Sequence, residues 1–219
     1  MMSEQVFHIV AYADGACKNN NSHSEKRLGG CGLIIQFRES KLIDEHLASH
    51  DSNICTLRSE MLKTKDFVCV ANPLSPKIEP PNKFSNNRAE LEAFNGVLAR
   101  FVLMDTDEKL TLTIKTDSEY VIKVFNGAWK WKENDWKLAS GTVAANIDYI
   151  LELITFVDVL RKRGNTVKVK HVPAHQQQPD KKNKEIWLDW FFNDFADRLS
   201  NIGAGVESDI NYNLKKRKK

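Results

Sequence analysis

The sequence predicts an α/β fold in which helices flank a five-stranded mixed sheet. Two strand-like segments, residues 6–13 and 110–116, each lead directly into an aspartate, Asp14 and Asp117. A long connection with a helical pattern separates the two segments, so they can lie parallel and adjacent. Their aspartates would then meet at the edge of the sheet where the ligands of α/β proteins bind. Clustered carboxylates repel unless a cation neutralises them, which favours a metal-dependent hydrolase.

The first third of the chain predicts strands and one insertion. Residues 6–13 and 33–37 form an expected antiparallel pair. In the segment that follows, residues 41–49 and 67–71 both have strand-like patterns. We interpret this region as one edge strand plus an insertion, about 45–83, whose proline-rich end is a rigid loop.

The rest of the chain alternates helices and strands. Residues 88–104 place Leu91, Phe94, Leu98 and Phe101 at helical spacing, which predicts a helix. It is followed by the strand that leads into the second aspartate. The remaining expected elements are a helix over 118–129 interrupted at Asn126-Gly127, a helix over 145–163, a strand over 166–172 and a helix over 187–202 that ends at Gly203.

Length and composition fit one globular domain. The chain has 219 residues, 42% of them hydrophobic, which is enough for a substantial core. We place the domain at residues 1–203, with insertions at about 45–83 and 176–190, and expect a basic, disordered tail over 204–219. Residues 215–219 are all basic, and without them the chain would be slightly acidic. Any nucleic-acid surface on the body must therefore be a local patch.

The lack of a recognisable targeting signal and the spacing of the cysteines predict an intracellular protein. No segment is long and apolar enough to span a membrane, and the N-terminus lacks the pattern of a signal peptide. The four cysteines, Cys17, Cys31, Cys55 and Cys69, have no metal-binding spacing. We therefore expect the thiols to be reduced and the protein to be located in the cytoplasm or nucleus. We also expect a monomer that makes no contact with a membrane.

Glu90 is the most informative single carboxylate. On the expected helix its neighbours one turn further along are Ala93 and Phe94, so it lies on an apolar stripe. A carboxylate in that position needs a partner or a metal ion. On the last helix, Asp194 and Asp197 are one turn apart, and spacing alone does not decide which of them reaches a site at the sheet edge.

Four motifs, taken together, resemble the type 1 ribonuclease H family. They occur in the family's order over about residues 6–204. The motifs are Asp14-Gly15-Ala16-Cys17, Asn86-Asn87-Arg88-Ala89-Glu90, Thr116-Asp117-Ser118-Glu119-Tyr120-Val121, and His175 followed by Asn193 and by Asp197-Arg198-Leu199. The resemblance implies a ribonuclease H-like fold.

The resemblance also implies an endonuclease that cuts the RNA strand of RNA/DNA hybrids and leaves 5′-phosphate and 3′-hydroxyl ends. Asp14, Glu90, Asp117 and Asp197 would be its metal ligands and, with His175, its catalytic residues. The cofactor would be a pair of Mg²⁺ ions, with Mn²⁺ as a substitute, which activate water and stabilise the leaving oxygen. Mg²⁺ suits an all-oxygen site that retains waters and substrate phosphate. His175 would assist proton movement or product release.

Contacts to both strands of a hybrid follow from the same resemblance. The expected contacts are Asn20, Asn86 and Asn87 to 2′-hydroxyls, Lys83, Ser85 and Asn146 to a phosphate of the DNA strand, and Trp129 and Trp131 to that strand's sugars and bases. Trp136 is expected in the core instead. Lys181, Lys182 and Lys184 either contact nucleic acid or are only solvated.

Two other functions compete with this interpretation. One is another enzyme of the same superfamily, a transposase, integrase or junction resolvase, which would share the strand-end aspartates but not Glu90 in its motif. The other is a module that binds hybrids without cleaving them, against which the presence of all four carboxylates argues. The basic residues 215–219 are a nuclear localisation signal, a nucleic-acid anchor or neither.

Overall fold

The computed structural model describes residues 6–18, 28–49, 53–74, 85–104, 106 and 108–211. Its strands are β1 (Val6–Lys18), β2 (Leu28–Gln36), β3 (Phe67–Leu74), β4 (Lys109–Thr116) and β5 (Thr166–His171). Its helices are α1 (Lys41–Ala48), α2 (Ile54–Met61), α3 (Asn86–Leu103), α4 (Glu119–Glu133), α5 (Ile147–Lys162) and α6 (Lys184–Gly203). The strands form one mixed sheet in the order β3-β2-β1-β4-β5, which confirms the predicted fold class.

Strand β1 is the centre of the sheet and joins its antiparallel and parallel halves. It pairs antiparallel with β2 and parallel with β4, while β3 and β5 form the two edges. The prediction that β1 ends before Asp14 is wrong, because the strand runs to Lys18 and Asp14 pairs with Gly32. Only its parallel pairing stops near this point, at Tyr12 opposite Lys115.

The sheet separates two cores, which we call the apolar face and the insertion face. The apolar face is covered by α3, α4 and α5, and β1 contributes Ile9 and Ala11 to it. The insertion face is covered by α6 together with α1 and α2, and the alternate residue Tyr12 packs there against Trp187, Phe192 and their neighbours. This alternation along β1 follows from the two-residue period of a strand.

Two helices occupy the inserted region between β2 and β3. Of the two segments with strand-like patterns, residues 41–49 form α1, and the expected edge strand is β3. Helix α2 begins where the side chain of Asn53 accepts hydrogen bonds from two backbone N–H groups of its first turn. Its buried residues are Leu57, Arg58 and Met61. Because one of the three is an arginine, a search for apolar residues at helical spacing does not predict this helix.

Several boundaries also differ from those predicted. Helix α4 is not interrupted at Asn126-Gly127 and continues to Glu133. Helix α6 begins at Lys184, so the expected insertion over 176–190 ends inside this helix. None of the helices in the described residues is long and apolar enough to cross a bilayer.

The segment after α6 folds back onto the domain. Arg198 Nη1 donates a hydrogen bond to the carbonyl of Ile210 at 3.1 Å, and Asn211 Nδ2 donates to the carbonyl of Cys55 in α2 at 3.4 Å. The expectation of disorder from residue 204 onward is therefore wrong for residues 204–211. Residues 212–219, including the basic end of the tail, lie outside the described residues.

Candidate active site

A cleft of about 520 Å³ opens at the end of the parallel strands. It brings together all the residues predicted to be catalytic, namely Asp14, Glu90, Asp117, His175 and Asp197. Its other lining residues are Gly15, Ala16, Cys17, Lys18, Asn86, Ala174, Asn201 and Val206. These residues come from distant parts of the chain, so the fold rather than local sequence assembles the cleft.

The parallel pairing of β1 and β4 places Asp14 beside Asp117. Tyr12 pairs with Lys115, and each aspartate follows its paired residue by two positions. Side chains two residues apart on a strand point to the same face. Asn193 of α6 donates a hydrogen bond to Asp117 Oδ2 at 3.1 Å, so the aspartates project toward the insertion face.

Glu90 reaches the same cleft from the apolar face. Helix α3 starts at Ser85, whose side chain accepts a hydrogen bond from a backbone N–H of the first turn. The helix then lies so close to β1 that a Cβ at Gly15 would be 2.2 Å from the backbone nitrogen of Glu90. Asn86 Nδ2 donates to one oxygen of Glu90 at 2.6 Å, and the hydroxyl of Ser118 donates to the other.

One face of α6 closes the cleft on the opposite side. Asn193, Asp197 and Ser200 are spaced i, i+4 and i+7, which places them on the same side of a helix. Ser200 Oγ donates to Asp14 Oδ2 at 2.7 Å, and Asn201 Nδ2 donates to Asp197 Oδ1 at 3.0 Å. The helix therefore carries one carboxylate and supplies neutral donors to both strand aspartates.

Burial and neighbouring negative charges raise the pKa of two carboxylates of the cleft, Asp14 and Glu90. Burial raises the pKa of Asp14 well above its usual range, and the negative charges of Asp117 and Asp197 raise it further, while the Ser200 hydrogen bond acts in the opposite direction. Burial is also the largest cause of the raised pKa of Glu90. A site with these properties favours a bound cation.

The structure separates Asp197 from Asp194. Asp197 lines the cleft. Asp194, one turn earlier, forms ion pairs with Arg58 of α2 and with Arg198 at 2.8 Å, and both arginine side chains are buried. Asp194 therefore fastens α2 to α6, and of the two, Asp197 is the carboxylate that the geometry makes available to the cleft.

Comparison with known proteins fits this geometry. The chain matches the family model for RNase H over residues 67–203. Ribonuclease H of Caldicellulosiruptor saccharolyticus is 34% identical over 170 residues, which are 76% of this chain and 83% of that protein. The chain belongs to the ribonuclease H family. The predicted resemblance is therefore confirmed.

Further similar proteins agree with this ribonuclease H assignment. Ribonuclease HI of Streptomyces coelicolor is 33% identical over 138 residues, which are 62% of this chain and 51% of that protein, so the chain spans about half of that relative. A solved structure of LC9-RNase H1, a type 1 RNase H with the type 2 active-site motif, has a TM-score of 0.56 and 19% identity. The match covers 92% of this chain and 74% of that chain, and it shows a shared fold.

The carboxylate oxygens that line this ribonuclease H cleft are the ligand type that hard divalent cations such as Mg²⁺ prefer. No three side chains of His, Cys, Asp or Glu within the described residues are close enough to enclose an ion. The pKa of Asp14 nevertheless responds to Asp117 and Asp197, so the carboxylates are within electrostatic range. Mg²⁺ retains waters and substrate phosphates and needs only one or two carboxylates.

His175 stands exposed at the rim of the cleft in an unusual backbone conformation. Its φ is +50°, in the left-handed region that few residues other than glycine adopt. The next residue is held in place, because the indole of Trp190 donates a hydrogen bond to the carbonyl of Gln176 at 3.0 Å. Helix α6 thus helps to fix the loop that presents His175.

Two of the residues predicted to bind phosphate, Ser85 and Asn146, both accept hydrogen bonds from Arg88. Ser85 caps α3, and Arg88 Nη1 donates to Asn146 Oδ1 at 3.3 Å. The backbone of Asn146 has a φ of +60°, and its Nδ2 donates to the hydroxyl of Tyr120 at 2.9 Å. Asn87 is exposed at the start of α3. Asn20 and Lys83 lie outside the described residues.

The two tryptophans predicted to hold the DNA strand pack against the protein itself. The indole of Trp129 donates to Asp158 at 3.1 Å, and the guanidinium of Arg161 lies 4.7 Å from its ring centre. Trp131 packs over Gly127, where a Cβ would be 2.7 Å from its ring. Both rings are partly buried on the apolar face, as is Trp136. Their contact with nucleic acid stays a prediction.

Two of the three lysines around the start of α6 contact α1. Lys181 Nζ donates to the carbonyl of His46 at the end of α1 at 2.8 Å, and Lys184 forms an ion pair with Asp44 at 2.7 Å. Lys182 is exposed. The structure therefore gives Lys181 and Lys184 a role in joining the two insertions.

Two serines that orient carboxylates of the cleft were not predicted from the sequence. Ser118 and Ser200 each donate to a carboxylate of the cleft, but neither was predicted as a site residue. For Ser200 a signal existed, because it follows Asp197 and Asn193 at helical spacing. That spacing becomes a specific signal only when the structure shows that Asp14 of β1 lies within hydrogen-bond distance of Ser200.

Proposed function

We propose that this member of the ribonuclease H family is an endonuclease that hydrolyses the RNA strand of RNA/DNA hybrids and leaves 5′-phosphate and 3′-hydroxyl ends. The observation that carries the proposal is the convergence of Asp14, Glu90, Asp117 and Asp197 on one open cleft. The names of the similar proteins, Ribonuclease H and Ribonuclease HI, support the same activity.

The four carboxylates would hold two Mg²⁺ ions, with Mn²⁺ as a substitute. When bound, the metal would activate a water molecule and stabilise the leaving 3′ oxygen. The chain's own residues orient the carboxylates: Asn193 fixes one oxygen of Asp117, and Ser118 and Asn86 fix the two oxygens of Glu90. Their contacts restrict side-chain rotation before the substrate binds, and this reduces the cost of reaching the reactive geometry.

His175 would exchange protons with solvent. It lines the cleft, yet its side chain is exposed. An imidazole nitrogen can accept or donate a proton, so His175 would carry a proton to or from the reacting phosphate and assist release of the product. Its loop conformation and its link to α6 through Gln176 and Trp190 keep it at the rim.

Recognition of the hybrid would depend on the start of α3 and the residues around it. Asn86 lines the cleft and Asn87 is exposed beside it, so both could meet 2′-hydroxyls of the RNA strand. Ser85 and Asn146, joined through Arg88, would bind a phosphate of the DNA strand. Asn20 and Lys83 complete the proposal from the sequence alone.

A cleavage assay with labelled duplexes tests the proposal. RNA/DNA, RNA/RNA and DNA/DNA duplexes of one sequence would be incubated with the protein, with and without Mg²⁺. We expect cleavage of the RNA in the hybrid only, dependent on Mg²⁺, and its loss in Asp14→Asn. The matched control is Asp44→Asn, which removes an exposed carboxylate on α1 and should leave the rate unchanged.

The alternatives give different results in the same assay. Cleavage of DNA/DNA would indicate a different nuclease of the superfamily, and binding of the hybrid without cleavage would indicate a non-cleaving module. Near-normal cleavage by folded Asp14→Asn would overturn the assignment of the cleft. Light scattering on the same preparation would test the predicted monomer.

A further inference from the structure

We propose that Ser200 is a positioning residue that holds the carboxylate of Asp14 in its metal-binding orientation. This inference rests on the proposed function, because it assigns Asp14 to a metal ion. Ser200 Oγ donates to Asp14 Oδ2 at 2.7 Å. The side chain of Ser200 is fully buried, and Asp14 is only 8% exposed, so water does not compete for this hydrogen bond.

The close approach of α6 to β2 makes this contact possible. Asp14 pairs with Gly32 across the β1–β2 ladder. A Cβ at Gly32 would be 2.1 Å from the carbonyl oxygen of Ala196 and 2.4 Å from the backbone nitrogen of Ser200. With no side chain at residue 32, the helix lies directly on the strand, and Ser200 reaches the carboxylate opposite.

The same hydroxyl links two elements of the cleft. Ser200 Oγ also lies 2.8 Å from the backbone carbonyl of Asp197. A hydroxyl has one proton to donate, and an ionised carboxylate is the stronger acceptor. When Asp14 is charged, Ser200 therefore connects it to the helical turn that carries Asp197, and the spacing of the two carboxylates becomes fixed.

A serine with a purely structural role would not need Asp14. Serine in a helix commonly satisfies its hydroxyl with a backbone carbonyl of the preceding turn, and Asp197 supplies one here. Since the hydroxyl has a single proton, its bond to Asp14 replaces that local bond instead of adding to it. Hydrogen bonds from outer residues typically orient metal ligands, and their removal weakens metal binding about 10–100-fold.

The test is a Mn²⁺ titration in the absence of nucleic acid. Binding is monitored as the loss of the free-ion signal in electron paramagnetic resonance. We expect Ser200→Ala to raise the dissociation constant about tenfold. Ser200→Cys, which keeps the side-chain size and a weak donor, should fall between it and the unchanged protein. This graded series keeps the test decisive if the alanine variant does not fold.

Ser59→Ala is the matched control. Ser59 lies in α2, where its hydroxyl donates to the carbonyl of Cys55 at 3.0 Å, and it does not line the cleft. We expect its Mn²⁺ affinity to be unchanged. Equal weakening by Ser59→Ala, or an unaltered affinity in folded Ser200→Ala and Ser200→Cys, would overturn the proposal.

Cleavage kinetics provide a second measurement of the same effect. The Mg²⁺ concentration for half-maximal rate should rise about tenfold in Ser200→Ala, while kcat at saturating Mg²⁺ stays close to that of the unchanged protein. A fall in kcat that Mg²⁺ does not restore would contradict a positioning role. If hybrids are not cleaved at all, the proposed function fails, but the Mn²⁺ titration still decides the role of Ser200. Failure of the unchanged protein to bind Mn²⁺ would overturn that role as well.

Discussion

The two faces of the sheet are built in different ways. On the apolar face, α3, α4 and α5 pack on the strands through aliphatic and aromatic side chains, such as Phe94, Leu98 and Leu153. On the insertion face, α6 also packs on the strands through aromatic side chains such as Phe192, but polar contacts are added: Tyr12 and Lys115 of the strands both contact Asp189 of α6, the former at 2.8 Å.

The buried polar residues of the apolar face have another function. Arg88 of α3 forms an ion pair with Asp148 of α5, and Asn95 of α3 donates to the carbonyl of Tyr149 at 3.0 Å. These contacts join helix to helix, as the ion pair of Arg58 with Asp194 does on the insertion face. The insertion face adds polar contacts that join α6 to the strands that carry the aspartates.

This difference follows from where the carboxylates point. Asp14 and Asp117 accept hydrogen bonds from α6, and Asp197 belongs to that helix. Burying charge requires hydrogen-bond partners with defined positions. A hydrogen bond weakens steeply when its distance or angle departs from the preferred geometry, so it adds a directional constraint to apolar packing. We infer that the polar contacts of the insertion face hold α6 in one register, and the predictions below test this contrast.

The largest expected effect separates two carboxylates of α6. Asp197→Asn should reduce Mg²⁺-dependent cleavage by a factor on the order of 10²–10³, because it removes a charge that would bind metal. Asp194→Asn should instead lower the free energy of unfolding by about 3 kcal/mol, because it leaves Arg58 buried without its ion pair. Cleavage rates and urea unfolding of both variants provide the measurement. The contrast fails if Asp194→Asn loses more cleavage than Asp197→Asn under conditions where both are folded.

A second contrast compares glycines on the two faces. Gly32→Ala would place a Cβ 2.1 Å from the carbonyl oxygen of Ala196, so α6 must move. We expect a loss of about 1–3 kcal/mol in the free energy of unfolding, together with weaker Mn²⁺ binding. Gly96→Ala on α3 would place a Cβ 3.3 Å from a methyl carbon of Leu33, and its stability should change by less than about 1 kcal/mol.

Thermal unfolding and Mn²⁺ titration of the two glycine variants test this contrast. If polar contacts hold α6 in register, only Gly32→Ala affects metal binding. Equal effects of both variants on metal binding would mean that either face can transmit a displacement to the cleft, and the inferred difference between the faces would be wrong.

The same contrast explains what the sequence could predict. On the apolar face, Leu91, Phe94, Leu98 and Phe101 recur at helical spacing, and the predicted helix agrees with α3. The strand aspartates were recognisable because both follow apolar strand segments and belong to motifs. The register between β1 and β4, which places them together, is set by contacts distant in sequence.

The insertion face was harder to predict for a physical reason. Helix α1 has eight residues and buries only Ile43, which is too few for a periodic pattern. In α2 the inward stripe includes Arg58, whose partner Asp194 is 136 residues further along. Such buried polar pairs become apparent only when the tertiary structure brings them together, and the same holds for Ser200 and Asp14.

The pH dependence of stability provides a third test, with a smaller effect. The folded pKa of Asp14 lies above its unfolded value, mainly through burial. The folded state therefore binds the proton more tightly, and this stabilisation is complete below the unfolded pKa and is lost as pH rises through the folded pKa. In metal-free protein, Asp14→Asn should raise the melting temperature at pH 7 and flatten its decrease between acidic and neutral pH.

Calorimetry in the presence of a chelator measures this effect. Mg²⁺ should reverse the order at pH 7, because the metal stabilises only the protein that retains Asp14. The control is Asp44→Asn, which removes a half-exposed carboxylate on the same face. A metal-free Asp14→Asn protein that melts below the unchanged protein at pH 7 would show that the carboxylate contributes more through its bond to Ser200 than it loses through burial.

The smallest expected effect concerns an exposed ion pair of the insertion face. Lys184 and Asp44 join α6 to α1 at 2.7 Å, but both side chains are about half exposed, at 52% and 53%. Water and salt screen such a pair, so Lys184→Gln should change the free energy of unfolding by less than about 0.5 kcal/mol. The ion pair of Arg58 with Asp194 also joins an inserted helix to α6, but its arginine side chain is only 1% exposed. If burial rather than the number of ion pairs determines how firmly the insertions hold α6, urea unfolding of Lys184→Gln will match the unchanged protein while Asp194→Asn loses stability. A loss in Lys184→Gln as large as that in Asp194→Asn would mean that the two insertions depend on their exposed contacts as much as on their buried ones.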